Sequence, residues 1–310
     1  MGLLVRGKEI PKNLAHLMLS PYVEAQLHGS ASLNKQTKHN DQNMKGNTLT
    51  SILSKTAAIL AVCAAVSAQA GTTSAKATAP VVPAVEEDPL GLSASIGYDS
   101  RYYFRGLWFS NHNVWAGLSG SVPLTDKLTL GVGSYYTDSA TSLNYSELDL
   151  FTTLTYDAGF AKFGLGYTWY YFFNGFFGDG IGQDYAHEVG LTSIVPLGPV
   201  NWNFGAYYDM FISAFYFETG FDSTIKVTDW LSIVPAVVIG YGVDGYYTFG
   251  TAGTAWNHVG AKISFPITLS KTATLTPYIA ANFSLEGRED LNTIEGQDEV
   301  FGGVALTVTF

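Results

Sequence analysis

Residues 114–124, VWAGLSGSVPL, decide the fold of this chain. Every second residue from Val114 to Leu124 is apolar or glycine, and most of the residues between them are small or polar. Residues 258–269, HVGAKISFPITL, repeat the pattern. Successive side chains of a β-strand point to opposite faces of the sheet, so both stretches predict strands with one apolar face and one small or polar face.

The same alternation continues to the end of the chain and divides it into twelve segments. The predicted strands are 91–103, 112–124, 127–138, 145–157, 161–173, 184–197, 200–213, 215–228, 231–243, 255–269, 273–286 and 298–310. An even number of strands of this length is typical of outer-membrane barrels.

The predicted connections alternate between tight turns and longer loops. Tight turns are expected at Thr125-Asp126, Asp157-Ala158-Gly159, Leu197-Gly198-Pro199, Thr228-Asp229-Trp230 and Ser270-Lys271-Thr272. Longer loops are expected near 104–111, 139–144, 174–183, 244–254 and 287–297, whereas the junction near Ser213-Ala214 is short. Short and long connections should therefore lie on opposite rims, as short periplasmic turns and long external loops do.

Composition excludes several other classes of protein. The 310 residues are 47% hydrophobic and only 14% charged, which is fewer charges than an ordinary soluble domain carries. The longest apolar run, 57–66, is too short for a membrane-spanning helix. A net charge of −10 argues against nucleic-acid binding, and a single cysteine excludes both an intramolecular disulfide framework and a cysteine-cluster zinc site.

These observations predict an all-β protein, a closed antiparallel transmembrane β-barrel of about twelve strands over residues 90–310. A closed barrel pairs every backbone polar group that would otherwise face hydrocarbon. A soluble β-sandwich also alternates, but it does not require evenly spaced tight turns or a signal peptide. The aromatic residues at one rim are expected to mark a bilayer interface. They include Tyr102, Tyr103, Phe104, Trp108 and Phe109.

The first quarter of the chain is predicted to lie outside the barrel. Residues 1–43 show no sustained period, and we interpret them as an unstructured upstream extension from a misplaced gene start. Residues 44–70 resemble a secretory signal peptide, with small residues Ala68 and Ala70 before the cleavage site. Residues 71–89, rich in Ala, Thr, Val and Pro, predict a flexible linker.

The chain ends on Phe310, which follows Leu306 and Val308 at alternate positions. This ending resembles the terminal strand by which the outer-membrane assembly machinery recognises its substrates. We therefore expect Phe310 to act as the assembly signal.

One short motif resembles a known family. Residues 100–106, Ser-Arg-Tyr-Tyr-Phe-Arg-Gly, are similar to the Ser-Asp-Tyr-x-Phe-Arg-Gly stretch of the TorF-type family of porins. Arg101 stands where that family usually has an acid, and Asp99 lies two residues away on the same predicted face. The resemblance implies an outer-membrane barrel of porin-like function.

Strand parity assigns a set of charged side chains to the lumen, because a charge facing lipid is costly. The set comprises seven acids and five bases: Asp99, Arg101, Arg105, Glu147, Asp149, Lys162, Glu188, Asp209, Glu218, Asp222, Lys226 and Lys262. These groups are expected either to pair as salt bridges within the wall or to bias ion passage, and the acidic excess predicts a mild preference for cations.

Catalysis is the weaker hypothesis. Downstream of the predicted cleavage site the histidines are His112, His187 and His258, and none stands in a Gly-x-Ser-x-Gly or other nucleophile motif. The acidic residues of the last long loop show no calcium-loop spacing. We therefore expect no enzymatic activity, no metal site and no cofactor.

The sequence thus predicts an exported outer-membrane porin for passive diffusion of small hydrophilic solutes or ions. Its expected partners are the lipid bilayer, lipopolysaccharide, the assembly machinery and small solutes, without nucleic acid. A filled barrel with a structural or adhesive role and a lipid-acting hydrolase are the alternatives.

Overall fold

A computed structural model describes residues 91–140, 144–176, 183–246, 253–289 and 298–310. The predictions for residues 1–43, the signal peptide at 44–70 with Ala68 and Ala70, and the linker at 71–89 lie outside these residues. Among the described residues, no helix is long and apolar enough to cross a membrane.

The described chain forms β-strands and one short helix. In chain order the elements are β1 (Leu92–Phe104), β2 (Leu107–Thr125), β3 (Leu128–Ser139), β4 (Ser146–Asp157), β5 (Lys162–Phe172), β6 (Tyr185–Leu197), β7 (Val200–Asp209), β8 (Ala214–Ser223), β9 (Ile225–Lys226), β10 (Ser232–Val243), β11 (Ala255–Ser264), β12 (Ile267–Thr268), β13 (Ala273–Ser284), α1 (Glu286–Glu289) and β14 (Asp298–Thr309).

The sheet closes on itself. Each long strand pairs antiparallel with two neighbours, and the circle is completed where β1 pairs with β14 and β11 pairs with β13. The two-residue strands β9 and β12 continue β8 and β11 along their neighbours β10 and β13. The predicted closed antiparallel barrel of twelve strands is therefore confirmed.

Two long strands are interrupted near the rim of tight turns, one between β8 and β9 and the other between β11 and β12. The break between β11 and β12 falls at Phe265-Pro266, where proline has no N–H to give to a neighbouring strand. The Pro266 carbonyl still accepts a hydrogen bond from the Ser232 amide at 3.1 Å, a usual distance for such a bond. The interruption thus preserves the wall.

The five predicted tight turns connect strands at one rim, and the termini of β1 and β14 lie at that same rim. In the described part of the opposite rim, the connection between β1 and β2 differs from the prediction. The expected long loop at 104–111 is wrong, because β1 and β2 are joined by Arg105 and Gly106 alone. Both have positive φ, 50° and 76°, as a two-residue type I′ hairpin turn requires.

The buried apolar side chains lie inside the barrel near the long-loop rim. Their main cluster contains Tyr102, Leu107, Phe109, Tyr145, Tyr170, Phe172, Phe176, Ala186, Ala214, Tyr216 and Tyr246. A smaller cluster joins Tyr103 to Ala280 and Phe301. The core of this fold is therefore a filled section of the lumen.

Candidate functional site in the barrel lumen

The hairpin tip, residues 102–110, leaves the wall and enters the lumen. Tyr102 and Tyr103 are consecutive, yet each is only 1% exposed. Of two consecutive side chains in a barrel wall, one points into the lumen and the other to the outer surface. Because Tyr102 and Tyr103 are both buried, this part of the chain no longer belongs to the wall. The pairing of β1 with β2 shifts register between these two tyrosines. The predicted girdle position of Tyr102, Tyr103 and Phe109 is therefore wrong: all three are buried.

Arg105, at the turn of the hairpin tip, reaches the opposite wall. Its guanidinium forms a two-pronged ion pair with Glu188 on β6, with Nη2 donating to Oε1 at 2.8 Å. Strand β6 is five strands from β1 in a twelve-stranded barrel, so this contact spans the lumen. Two such parallel bonds fix both the distance and the angle of the pair.

Aromatic rings surround the same guanidinium. Its central carbon lies 3.9 Å from the ring centre of Tyr207 and 4.8 Å from that of Tyr216. The guanidinium also donates a hydrogen bond to the Tyr246 hydroxyl. Cation–π contacts are strongest where water is excluded, and here the arginine is 4% exposed. Arg105 is thus held by charge, hydrogen bonds and ring faces together.

A second arginine fixes the backbone of the turn. Arg288 of α1 is fully buried, and its Nη1 donates to the Tyr246 carbonyl at 3.2 Å. Next to the turn, a Cβ added to Gly106 would lie 2.4 Å from the ring of His258. Only glycine fits between the hairpin tip and β11 at this point.

Tyrosine hydroxyls satisfy the acidic side chains around the hairpin tip. Tyr102 and Tyr145 donate to the same oxygen of Glu147 at 2.9 and 2.8 Å, and Tyr170 donates to Glu188 at 3.2 Å. A cavity of about 10 Å³ remains among these rings and carboxylates. That volume holds about one water molecule. The hairpin tip, these tyrosines and the acidic side chains thus pack closely together inside the barrel.

A separate charged group lies on the lumen face of β1, β11 and β13. The Tyr278 hydroxyl donates to Asp99, and the Lys262 ammonium lies 4.1 Å from the Tyr278 ring centre. Asp99 is fully buried in this group. Asp99 and Lys262 thus share Tyr278 as a common partner inside the barrel.

The half of the lumen toward the tight turns has a different lining. Hydroxyl groups bond across strands there, as between Ser93 and Ser119 at 2.7 Å and between Ser95 and Thr307 at 3.0 Å. The Asp222 carboxylate accepts hydrogen bonds from the amides of Asn201 and Asn203. We call this half, lined by small polar side chains, the vestibule.

The twelve charged residues assigned to the lumen occupy three kinds of position. Buried inside the barrel are Asp99, Arg105, Glu147, Asp149, Glu188, Asp209, Glu218 and Asp222. Arg101, paired with Glu299 at 3.3 Å, and Lys262 are partly buried. Lys162 and Lys226 are exposed at the rim of tight turns. The Lys226 ammonium, 2.7 Å from Asp229 in the adjoining turn, holds the pKa of Asp229 below its usual range.

Sequence reasoning missed two residues that contact the hairpin tip, Arg288 and His258. Arg288 stands alone among acids in the last long loop, a setting that suggests a solvated side chain, yet it is buried. His258 stands in no motif that marks it, yet it is buried and packs against Gly106. An available signal was the Arg-Gly pair after consecutive tyrosines, since glycine supplies the second positive φ of a type I′ turn.

The outer surface carries the apolar half of the alternation. Leu118, Leu191 and Ile279 are each at least half exposed. Near the long-loop rim two histidines lie on this surface, each accepting or donating a hydrogen bond with a tyrosine: His112 with Tyr98 at 2.7 Å and His187 with Tyr167 at 2.6 Å. Among the described residues, no group of three or more potential ligands could hold a metal ion.

No protein-family model matches this chain, and no curated protein matches its sequence significantly. Membership of the TorF-type family therefore stays a prediction. Among solved structures the chain is similar to an outer membrane channel from Pseudomonas putida F1, at 12% identity and a TM-score of 0.48, covering 74% of this chain and 100% of that one.

Two further solved structures are similar over the barrel. The KdgM porin is 9% identical, with a TM-score of 0.44 over 70% of this chain and 99% of that one. The NanC porin is 10% identical, with a TM-score of 0.43 over 71% and 98%. At this level of similarity, none of the three assigns a function to this chain.

Proposed function

We propose that this chain is a porin-like channel of the bacterial outer membrane, for passive diffusion of small hydrophilic solutes or ions. The observation that carries the proposal is the separation of surfaces in the closed barrel. Leu191 is 57% exposed on the outside, while its neighbour Thr192 faces the lumen beside Gly164. A barrel that is apolar outside and polar inside suits a wall between lipid and water.

The vestibule supports passage of solutes rather than a merely filled barrel. Its lining includes hydroxyl and amide groups that hydrogen-bond along the wall, among them those of Ser93, Ser95 and Asn201. A wall of this size is wider than the eight-stranded barrels that side chains just fill. A solute that enters the vestibule would therefore meet polar groups until it reaches the hairpin tip.

Insertion and export complete the proposal. The lipid bilayer and lipopolysaccharide are the proposed surroundings, the assembly machinery is the proposed reader of Phe310, and residues 44–70 are the proposed cleaved signal peptide. The rim of tight turns, which holds both ends of the barrel, is then periplasmic.

A filled barrel with a structural or adhesive role is the second candidate, because the hairpin tip leaves a cavity for only about one water molecule. A lipid-acting hydrolase is less well supported. His112 and His187 are engaged with tyrosines on the outer surface, and His258 is buried within the lumen. The absence of catalysis stays a prediction.

Conductance in planar bilayers tests the proposal. The purified barrel is compared with a variant in which residues 102–109 are replaced by a short Gly-Ser turn, and heat-modifiable migration in gels verifies that each is folded. We expect discrete conductance from the shortened variant and a smaller conductance from the native barrel. No conductance from the folded variant would overturn the channel and favour the filled barrel. A phospholipid-hydrolysis assay with H187A and H258A as controls should show no activity.

A further inference from the structure

The hairpin tip lies in the lumen and contacts the far wall at Glu188. We propose that the hairpin tip is a gate and that the ion pair between Arg105 and Glu188 is its latch. The inference rests on the proposed channel function, because a gate has meaning only where solutes pass. It concerns the contacts between hairpin and wall, described above.

The latch fixes the hairpin turn to the far wall by opposite charges. Arg105 bonds Glu188 with two parallel hydrogen bonds, while the neighbouring Tyr207 and Tyr216 offer ring faces. Loss of one partner of a buried pair leaves the other charge unpaired and dehydrated. Removal of Glu188 therefore leaves the buried Arg105 guanidinium without its carboxylate partner, which destabilises the closed position of the hairpin tip.

Two residues that surround the hairpin tip favour its release. Among the described residues, both ring nitrogens of His258 and both amide atoms of Asn282 are buried without a hydrogen-bond partner. His258 contacts the turn at Gly106. Asn282 lies two residues after Ala280 on the inward face of β13, and Ala280 packs against Tyr103. Buried polar atoms without partners regain hydrogen bonds when water enters. The cost of withdrawing the hairpin is reduced by that gain.

The hairpin tip can also move as a unit. Its strands pair with each other up to Phe104 and Leu107, and a two-residue type I′ turn closes them. The hairpin thus keeps its own hydrogen bonds when it leaves the wall. Movement requires exchange of side-chain contacts and of the hydrogen bond from Arg288 to the Arg105 carbonyl, and the pairing is already irregular between Tyr102 and Tyr103.

Charge exchange tests the latch. The variants are R105E, E188R and the double exchange R105E/E188R, with D229N as a control that alters an exposed acid at the opposite rim. We expect each single exchange to raise the open fraction in planar bilayers at least about tenfold, since it opposes like charges at the contact. The double exchange should restore closure, and D229N should leave gating unchanged. Equal opening by the double and single exchanges would overturn the latch.

A chemical readout separates failure of the gate from failure of the channel. Leu107, 5% exposed in the seated hairpin, is changed to cysteine in a C63A background and labelled with a membrane-impermeant thiol reagent. E188Q should speed the labelling of L107C at least about tenfold. If the shortened variant conducts while E188Q changes neither labelling nor conductance, the latch is wrong and the channel stands. If E188Q speeds labelling but no variant conducts, the hairpin moves and the channel is wrong.

Discussion

Arg288 Nε lies 3.3 Å from the carbonyl oxygen of Arg105, so the helix after β13 binds the turn between β1 and β2. The contact joins the first and the last connections of the long-loop rim. Because the acceptor is backbone, it holds the turn whatever the side chain of Arg105 does. Arg288 and Glu188 therefore restrain the same turn by different means.

Truncating Arg288 should loosen the turn without disturbing the ion pair. R288A leaves the carbonyls of Arg105 and Tyr246 without this donor, and we expect a loss of about 2–3 kcal/mol in the free energy of unfolding. Urea unfolding in lipid vesicles measures it. R288K, which keeps a charge but fewer donors, should lose less. An unchanged R288A barrel would contradict a structural role for this side chain.

Substitution of Gly106 should cost more than strain alone predicts. Alanine there must adopt a φ of 76°, and its Cβ would lie 2.4 Å from the His258 ring. Gly159 is a matched control, since it has a φ of 85° and no atom within 4 Å of an added Cβ. We expect G159A to lose about 1 kcal/mol of unfolding free energy and G106A at least twice that. Equal losses would show that His258 moves away freely.

The two faces of β6 should tolerate charge differently. Leu191 faces outward and Thr192 inward, so L191R places a guanidinium in the bilayer and T192R places it in the vestibule. For L191R we expect a loss of about 2–4 kcal/mol in unfolding free energy, because Leu191 lies in the middle of the wall. T192R should lose about 1 kcal/mol or less. Equal or reversed losses would place the apolar face somewhere other than against lipid.

Ion selectivity should follow the fixed charge of the lumen. In the hairpin-shortened variant we expect a mild preference for cations, because acids outnumber bases among the buried lumen residues. The reversal potential under a salt gradient measures this preference. Adding D222N should reduce it, whereas adding D229N at the exposed turn should not. Selectivity for anions would contradict the prediction.

The strands could be predicted because their signal is local. Strand β3, expected at 127–138, is found at Leu128–Ser139, since side-chain parity depends only on neighbours in the chain. The hairpin tip could not be predicted in this way. Tyrosine suits a bilayer interface and a packed lumen equally well, so Tyr102 and Tyr103 resemble girdle residues until their burial is seen.

The pairing of charges was likewise beyond the pattern. Parity turns Glu188 inward, but which base it meets depends on how far the hairpin crosses the lumen. Lys162 and Lys226 share inward parity and remain exposed, because their strands begin or end there at the rim. Strand parity thus predicts whether a side chain points inward, whereas its depth in the barrel and its charged partner depend on tertiary structure.

The seam between β1 and β14 has a consequence for assembly. It pairs Ser93 with Thr309 and continues to Asp99 with Gly303, joining the two ends of the barrel sequence. The same strand β1 then runs on into the hairpin tip. The hairpin tip is therefore synthesised before the last strand of the barrel. Closure of the barrel therefore waits for contacts between residues at opposite ends of the barrel sequence, the kind of contact that forms slowly.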